Sequence, residues 1–297
     1  MKPKATIQVD LDGLWTLYQY HGLPCPVWPD PVYTEALPRF LDIFLDYRVQ
    51  ATFFIIGKDA ECPEKQSWIK KIIQAGHEVA NHSYSHEIPY HKRNLEDIKE
   101  DILRSGNILT QLSGKSPKGF RAPGYGIDEN ILRIIDELGY QYDASIFPTP
   151  WSQAMAHIER KKCKDKAPVG GFGTGQYGWS PVKPYLLRRI QGKGNHKTPL
   201  LEVPVSVFPF FRTPLHRSVS QFLGDLYWQA GISFSRMIRR PFSLLFHGVD
   251  LVDGLYDQQL PELKRITTPF PQRIDEIRKM VKFIKRKYII VPTCEIQ

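Results

Sequence analysis

Cysteine is scarce, and the four present (Cys25, Cys62, Cys163 and Cys294) stand far apart with no C-x-x-C pair. That excludes a zinc ribbon, gives no disulfide framework, and makes a reducing compartment the expectation. Long apolar runs are also missing: "FSLLFHGVDLV" is far too short to span a bilayer and carries a His and an Asp. The opening MKPKATIQVD runs straight into a strand pattern, with no charged segment followed by an apolar one, so a cytoplasmic location is expected. There is no internal repeat or low-complexity tract. RNP-like, helix-turn-helix and finger motifs are absent as well, so no nucleic acid is expected as partner although the net charge is +9.

The basic residues that make this charge are scattered: Arg160 to Lys166, Arg188 and Arg189, Arg239 and Arg240, and Arg278 to Lys287. A solvated surface accounts for most of them, and an anionic lipid surface or a phosphate-bearing substrate suits the remainder. An aromatic loop (Leu14, Trp15, Tyr18, Tyr20, Trp28) and the stretch from Phe222 to Arg240 are candidates for peripheral contact with such a membrane, on its inner face. Alternatively, these aromatics cover the mouth of the fold and stack on sugar rings.

Hydrophobic patterning alternates between strand and helix. "TIQVDLDG" is a strand ending in a turn; residues 13 to 33 form a Pro- and aromatic-rich loop. "TEALPRFLDIFLDY" is a helix with Leu37, Phe40, Leu41, Phe44 and Leu45 on one face. "ATFFIIG", "HEVANHS", "KGFRAPGYG" and "YQYDASIF" are strands, separated by helices at "PEKQSWIKKIIQAG", "NLEDIKEDILRSGNILTQLSG" (capped by Asn94) and "DENILRIIDELG". Strand and helix in regular succession imply parallel βα units, hence an α/β barrel or doubly wound sheet. The pattern breaks at Pro148, and about 148–199 reads as a long insertion. A strand at "LLEVPVSVFPFF", a helix over 219 to 240, a strand at "FSLLFHG", a basic helix over about 271 to 287 and "YIIVP" complete the chain. With no linker evident, residues 1–297 are expected to form a single domain.

In such folds the chemistry sits beyond the carboxyl ends of the strands. Sorted by that rule, Asp10 and Asp12 end the first strand, and His82 ends the third with His86 four residues on. Arg121 ends the fourth, Asp143 lies late in the fifth, and His247 ends the last clear apolar strand. Each alone has a bland reading: a solvated strand end, two surface histidines, a salt bridge, a packed core histidine. Together, Asp12, His82 and His86 make a two-His, one-carboxylate set with open positions, suited to hydrolytic zinc or to a non-haem iron oxygenase. An oxygenase has no use for a second carboxylate, whereas hydrolysis needs a base, and Asp10 is placed for it. Arg121 would keep Asp10 ionised, the Pro-Gly turn after it offers backbone N–H groups for an oxyanion, and His247 would protonate a leaving amine.

Taken in order, D-x-D-G, "ATFF-I-G", "GHE-ANHS--H", "FRAPGYG", "YDASIFP" and "LLFHG" resemble the polysaccharide deacetylase (NodB-homology) family of carbohydrate esterases, closely over 5 to 147 and loosely over 242 to 250. "YDASIFP" followed by "LLEVPVS" is similar to the branch associated with exopolysaccharide synthesis. The resemblance implies a distorted (β/α) barrel, one divalent metal (usually zinc, Zn2+), and removal of an N-acetyl group from an amino sugar in a glycan or glycan precursor. It implies that Asp10 is the catalytic base, that Asp12, His82 and His86 are metal ligands, that Arg121 steadies the base, and that His247 is the acid. Asp143 resembles a carboxylate that pairs with Arg or His in some members. Leu11 stands between aspartates that are usually adjacent. The arginine motif is longer by one residue, so Gly124 or Tyr125 would supply the oxyanion donor. The "HGVDLVDG" ending is also similar to enzymes that deformylate a lipid-linked aminoarabinose. A third alternative, an inactive carbohydrate-binding homologue, is opposed by the intact set of ionisable residues.

Overall fold

The structure is a computed structural model that describes residues 2–25, 29–155, 157, 173–187, 199–253 and 269–297. Trp28, Cys163, Arg160 to Lys166, and Arg188 and Arg189 lie outside the described residues, as does the Phe222 side chain. Strand β1 (Lys4–Leu11) is buried at every position after Lys4, as a strand covered on both faces must be. On one side of it lie, in turn, β2 (Thr52–Ile55), β3 (Glu78–Asn81), β4 (Gly119–Phe120) and β5 (Tyr142–Asp143), all parallel. Beyond β5, β7 (Leu201–Glu202) is parallel and β6 (Tyr185–Leu186) antiparallel. On the other side β8 (Phe242–His247) pairs along β1, and the short β9 (Ile289–Ile290) pairs with its first residues. The order β6-β7-β5-β4-β3-β2-β1-β8 leaves two edges among the described residues, so the expected distorted barrel is an open, curled half-barrel. β6 belongs to the segment expected as an insertion, which therefore adds an edge strand to the sheet.

Helices cover the faces: α1 (Trp15–His21), α2 (Leu37–Asp46), α3 (Gly57–Glu61), α4 (Pro63–Gln74), α5 (Leu95–Ser113), α6 (Glu129–Glu137), α7 (Arg217–Met237) and α8 (Phe270–Lys287). Asn94 caps α5 as expected, its Oδ1 accepting from Glu96 N at 2.8 Å, and Gly114 closes the helix with φ +72°. α2 corrects one expectation. Its buried face is Leu37, Phe40, Ile43 and Phe44, whereas Leu45 is 75 % exposed. A π-helical turn at Val32–Ala36 precedes α2 and sets its phase.

α1 is a second correction, because it lies inside the expected loop. Its Tyr18 and the preceding Leu14 sink into the core shared by β1, β2, β8, α2 and α8. Burial of those two side chains holds seven residues helical where local sequence gives little support. Leu14 and Tyr18 are thereby withdrawn from any membrane contact. Cys62 and Cys294 are free cysteines.

Candidate metal centre and hydrolytic site

Sheet register builds the site. Leu11, Ile55, Asn81, Phe120, Asp143 and Glu202 form one row across six neighbouring strands. The next residue of each chain then emerges at the same end, which is how Asp12, His82 and Arg121 meet although they are far apart in sequence. Asp10 is one place earlier, level with His247 on β8.

Asp12 Oδ1 lies 3.2 Å from His82 Nε2 and 3.5 Å from His86 Nε2, and the three ligand atoms fall within 4.8 Å of one another. Three observations test whether this set fits a cation. His82 Nδ1 is 2.7 Å from the carbonyl of Arg121, so Nδ1 carries the hydrogen and Nε2 turns a lone pair toward Asp12. Asp12 Oδ1 is buried yet accepts no hydrogen bond, so lone pairs confront one another unless a positive charge lies between them. Ligands roughly 2.0–2.1 Å from a tetrahedral metal stand roughly 3.3–3.4 Å apart, the spacing seen here. The residues fit a divalent cation.

Titration agrees. Burial opposes ionisation of Asp12, but the neighbouring imidazoles of His86 and His82 outweigh it and hold the carboxyl below the usual range. His82 is raised despite burial because Asp12 faces it, and a position that favours a proton between these atoms favours other cations too. Burial pushes His86 down to about 4, which leaves its lone pair free at neutral pH. His86 also has φ +51°, uncommon for a residue with a Cβ, and its N–H donates to Ser83 Oγ at 3.0 Å.

Asp10 is almost fully buried and receives Arg121 Nη1 in a short ion pair. Arg121 is itself fixed from several sides. Its Nη2 donates to Gln8 Oε1 and its Nε to Ala144 O, and its guanidinium lies 4.0 Å over the Phe54 ring. Asp10's second oxygen is 3.8 Å from His247 Nε2, and the His247 side chain is 24 % exposed, at the edge of solvent. Asp10 therefore lies between Arg121 and His247, beside the metal set.

Gly124 and Tyr125 form the turn after Arg121, both with positive φ. Tyr125 N–H donates to Ala122 O at 3.0 Å and is spent inside the turn, which favours Gly124 of the two oxyanion candidates. The rings of Tyr125 and Phe147 lie 5.3 Å apart, those of Phe147 and His216 5.9 Å, and those of His216 and His247 6.3 Å. This run joins the turn to the acid candidate. Asp143 pairs with neither Arg121 nor His247. It accepts from Ser145 N and Oγ at 3.0 and 2.6 Å and faces Glu202. Burial and the neighbouring Asp143 carboxyl raise Glu202 well above the usual range.

Residues that sequence reasoning missed support the site from behind. Asp59 accepts from Gly13 N, the Trp15 indole, the Tyr33 hydroxyl and Lys65, while Asp30 accepts from Leu14 N and Lys65. A Cβ at Gly13 would come within 2.6 Å of Asp30 Oδ2 and 2.7 Å of Asp59 Oδ2, so any larger residue there would have to displace these carboxylates. Asp101 of α5 accepts from the backbone of Tyr84 and Ser85 and from Arg93, fixing the loop between the two histidines. Asp101 is legible in hindsight, as a charge within α5's buried stripe of Ile98, Ile102, Ser105 and Leu109. Lys65→Met would leave Asp59 and Asp30 buried without their cation. The expected result, read by chemical denaturation, is a loss of about 3 kcal/mol, with Asp59→Asn partly restoring it. A Lys65→Met protein as stable as wild type would contradict this role for the network.

The described strands form an open α/β half-barrel with a two-His, one-carboxylate set at its carboxyl end, an arrangement able to hold a divalent cation. Residues 28–142 match the polysaccharide deacetylase family model. Asp10, Asp12 and His247 lie outside the matched stretch and join it through the sheet. The chain is 34 % identical over 111 residues to a peptidoglycan deacetylase of Helicobacter pylori, covering 37 % of each chain. It is 35 % identical over 106 residues to a peptidoglycan-N-acetylglucosamine deacetylase of Bacillus cereus, covering 36 % of this chain and 38 % of the other. The matches thus span well under half of those relatives' lengths. Puue allantoinase superposes with a TM-score of 0.63 over 99 % of this chain and 88 % of the other, at 15 % identity, a likeness of fold alone.

Proposed function

We propose that this protein is a metal-dependent hydrolase that removes the N-acetyl group from an amino sugar of a glycan or glycan precursor. The observation that carries this reading is the unpartnered Asp12 Oδ1 confronted by two imidazole nitrogens, with Asp10 and His247 beside it. Asp12, His82 and His86 would hold the cation, for which zinc suits the donor set. When bound, that cation supplies Lewis acidity, polarising the amide carbonyl and making a water more acidic. Asp10 takes the proton from the attacking water, and Arg121 holds its carboxylate in position. As the C–N bond breaks, His247 gives a proton to the amine nitrogen, and the Gly124 amide steadies the oxygen of the acyl carbon. Asp143, buried beside Glu202, shapes the field around Arg121 from behind. The whole chain, 1–297, acts as one domain with its insertion at about 148–199, working on the cytoplasmic side.

The resemblance of "YDASIFP" and "LLEVPVS" to the exopolysaccharide-associated branch supports a glycan made for export, at the polymer or lipid-linked stage. Incubation with N-acetylated amino-sugar oligosaccharides should release acetate and free amine in equal amounts. Chelation should stop the reaction and a divalent metal restore it. Amine release that persists under chelation would contradict the proposal, and preference for an N-formyl substrate would reassign the acyl group.

A further inference from the structure

Exposed large apolar side chains are not spread evenly over the described surface. Phe210 and Phe211 (each 69 % exposed), Leu226 (83 %) and Met237 (66 %) belong to one region. After Gly224, whose φ of +77° interrupts α7, Leu226, Ala230 and Met237 recur at i, i+4 and i+11, along one helix face. Trp228 and Ile232, on the other face, are buried in the core. The 208–212 loop widens the strip: the Phe210 ring meets Phe234 of α7 edge-on at 4.8 Å, and Phe208 stacks on Phe234 at 6.4 Å. Cations border one end. Arg236 Nε donates to Lys287 O at 3.0 Å, joining α7 to the basic end of α8, and Arg239 and Arg286 are exposed there. No helix among the described residues is long and apolar enough to cross a membrane.

We propose that α7 and the 208–212 loop dock this protein on an anionic lipid surface. A contiguous apolar strip rimmed by charge marks a contact surface, and the cationic border selects an anionic one. An apolar helix face that sinks to the acyl boundary while arginines meet headgroup phosphates is the arrangement of an interfacial helix.

Co-sedimentation with phosphatidylcholine vesicles, with and without phosphatidylglycerol, tests it. Wild type should bind the phosphatidylglycerol vesicles and be released by salt. The triple variant Phe210→Ser/Leu226→Gln/Met237→Gln should bind on the order of tenfold or more weakly, yet hydrolyse a soluble oligosaccharide at the wild-type rate. Arg239→Glu/Arg286→Glu, which leaves the apolar strip intact, should also lose the preference for anionic vesicles. His82→Ala should bind vesicles like wild type while losing hydrolysis, which separates this inference from the hydrolase reading. No wild-type binding at low salt, or equal binding by both surface variants, would overturn the proposal. So would a concentration-dependent dimer that the triple variant abolishes, because the strip would then be covered by a second copy.

Discussion

Asp10→Asn should retain its metal and slow hydrolysis by roughly 10² to 10⁴-fold, the usual worth of a positioned general base. The substitution is nearly isosteric, and Asp10 is not among the three atoms that confront one another. Its contacts are with Arg121 and His247, so the metal set should survive while the acceptor for the water's proton is lost. The variant leaves Arg121 buried without a counter-charge, so some loss of stability should accompany the loss of rate. Steady-state kinetics and metal analysis of one preparation separate the outcomes. If Asp10→Asn instead strips the metal, Asp10 and Asp12 exchange roles.

The residues of the proposed site were legible because a parallel sheet gathers strand ends. Asp10, Asp12, His82, Arg121 and His247 each follow or end an apolar run, and register alone brings them together. Asn94 and Gly114, the cap and stop of α5, were equally legible, since each acts on its own neighbours. The supporting network was not. Asp30, Asp59 and Lys65 converge from a loop and two helices, and their charges read locally as solvated surface. α1 escaped notice for a related reason: tertiary burial of Leu14 and Tyr18, rather than caps or propensity, makes it helical. Asp143 was placed at the right strand end, but its partner Glu202 lies in a later strand that no local pattern connects to it.

His82→Ala should abolish both metal retention and hydrolysis. One of three ligands is removed, and His82 is the one whose Nδ1 is locked by the Arg121 carbonyl, so the remaining imidazole lacks a rigid companion. His82 is almost fully exposure-free, beside the Phe54 ring, so Ala also leaves a small cavity; His82→Gln, which fills more of the space, should fail to hold metal in the same way. Retained fold in either variant, read by circular dichroism, separates loss of the ligand from loss of the structure.

The most direct test is a titration of metal-stripped wild-type protein with a divalent metal, following bound metal and amine release together. Hydrolysis should rise in proportion to bound metal and level off at one ion per chain, with His82→Ala showing neither signal. Full hydrolysis in the stripped protein, or one tightly bound ion per chain in His82→Ala, would contradict a centre built from Asp12, His82 and His86.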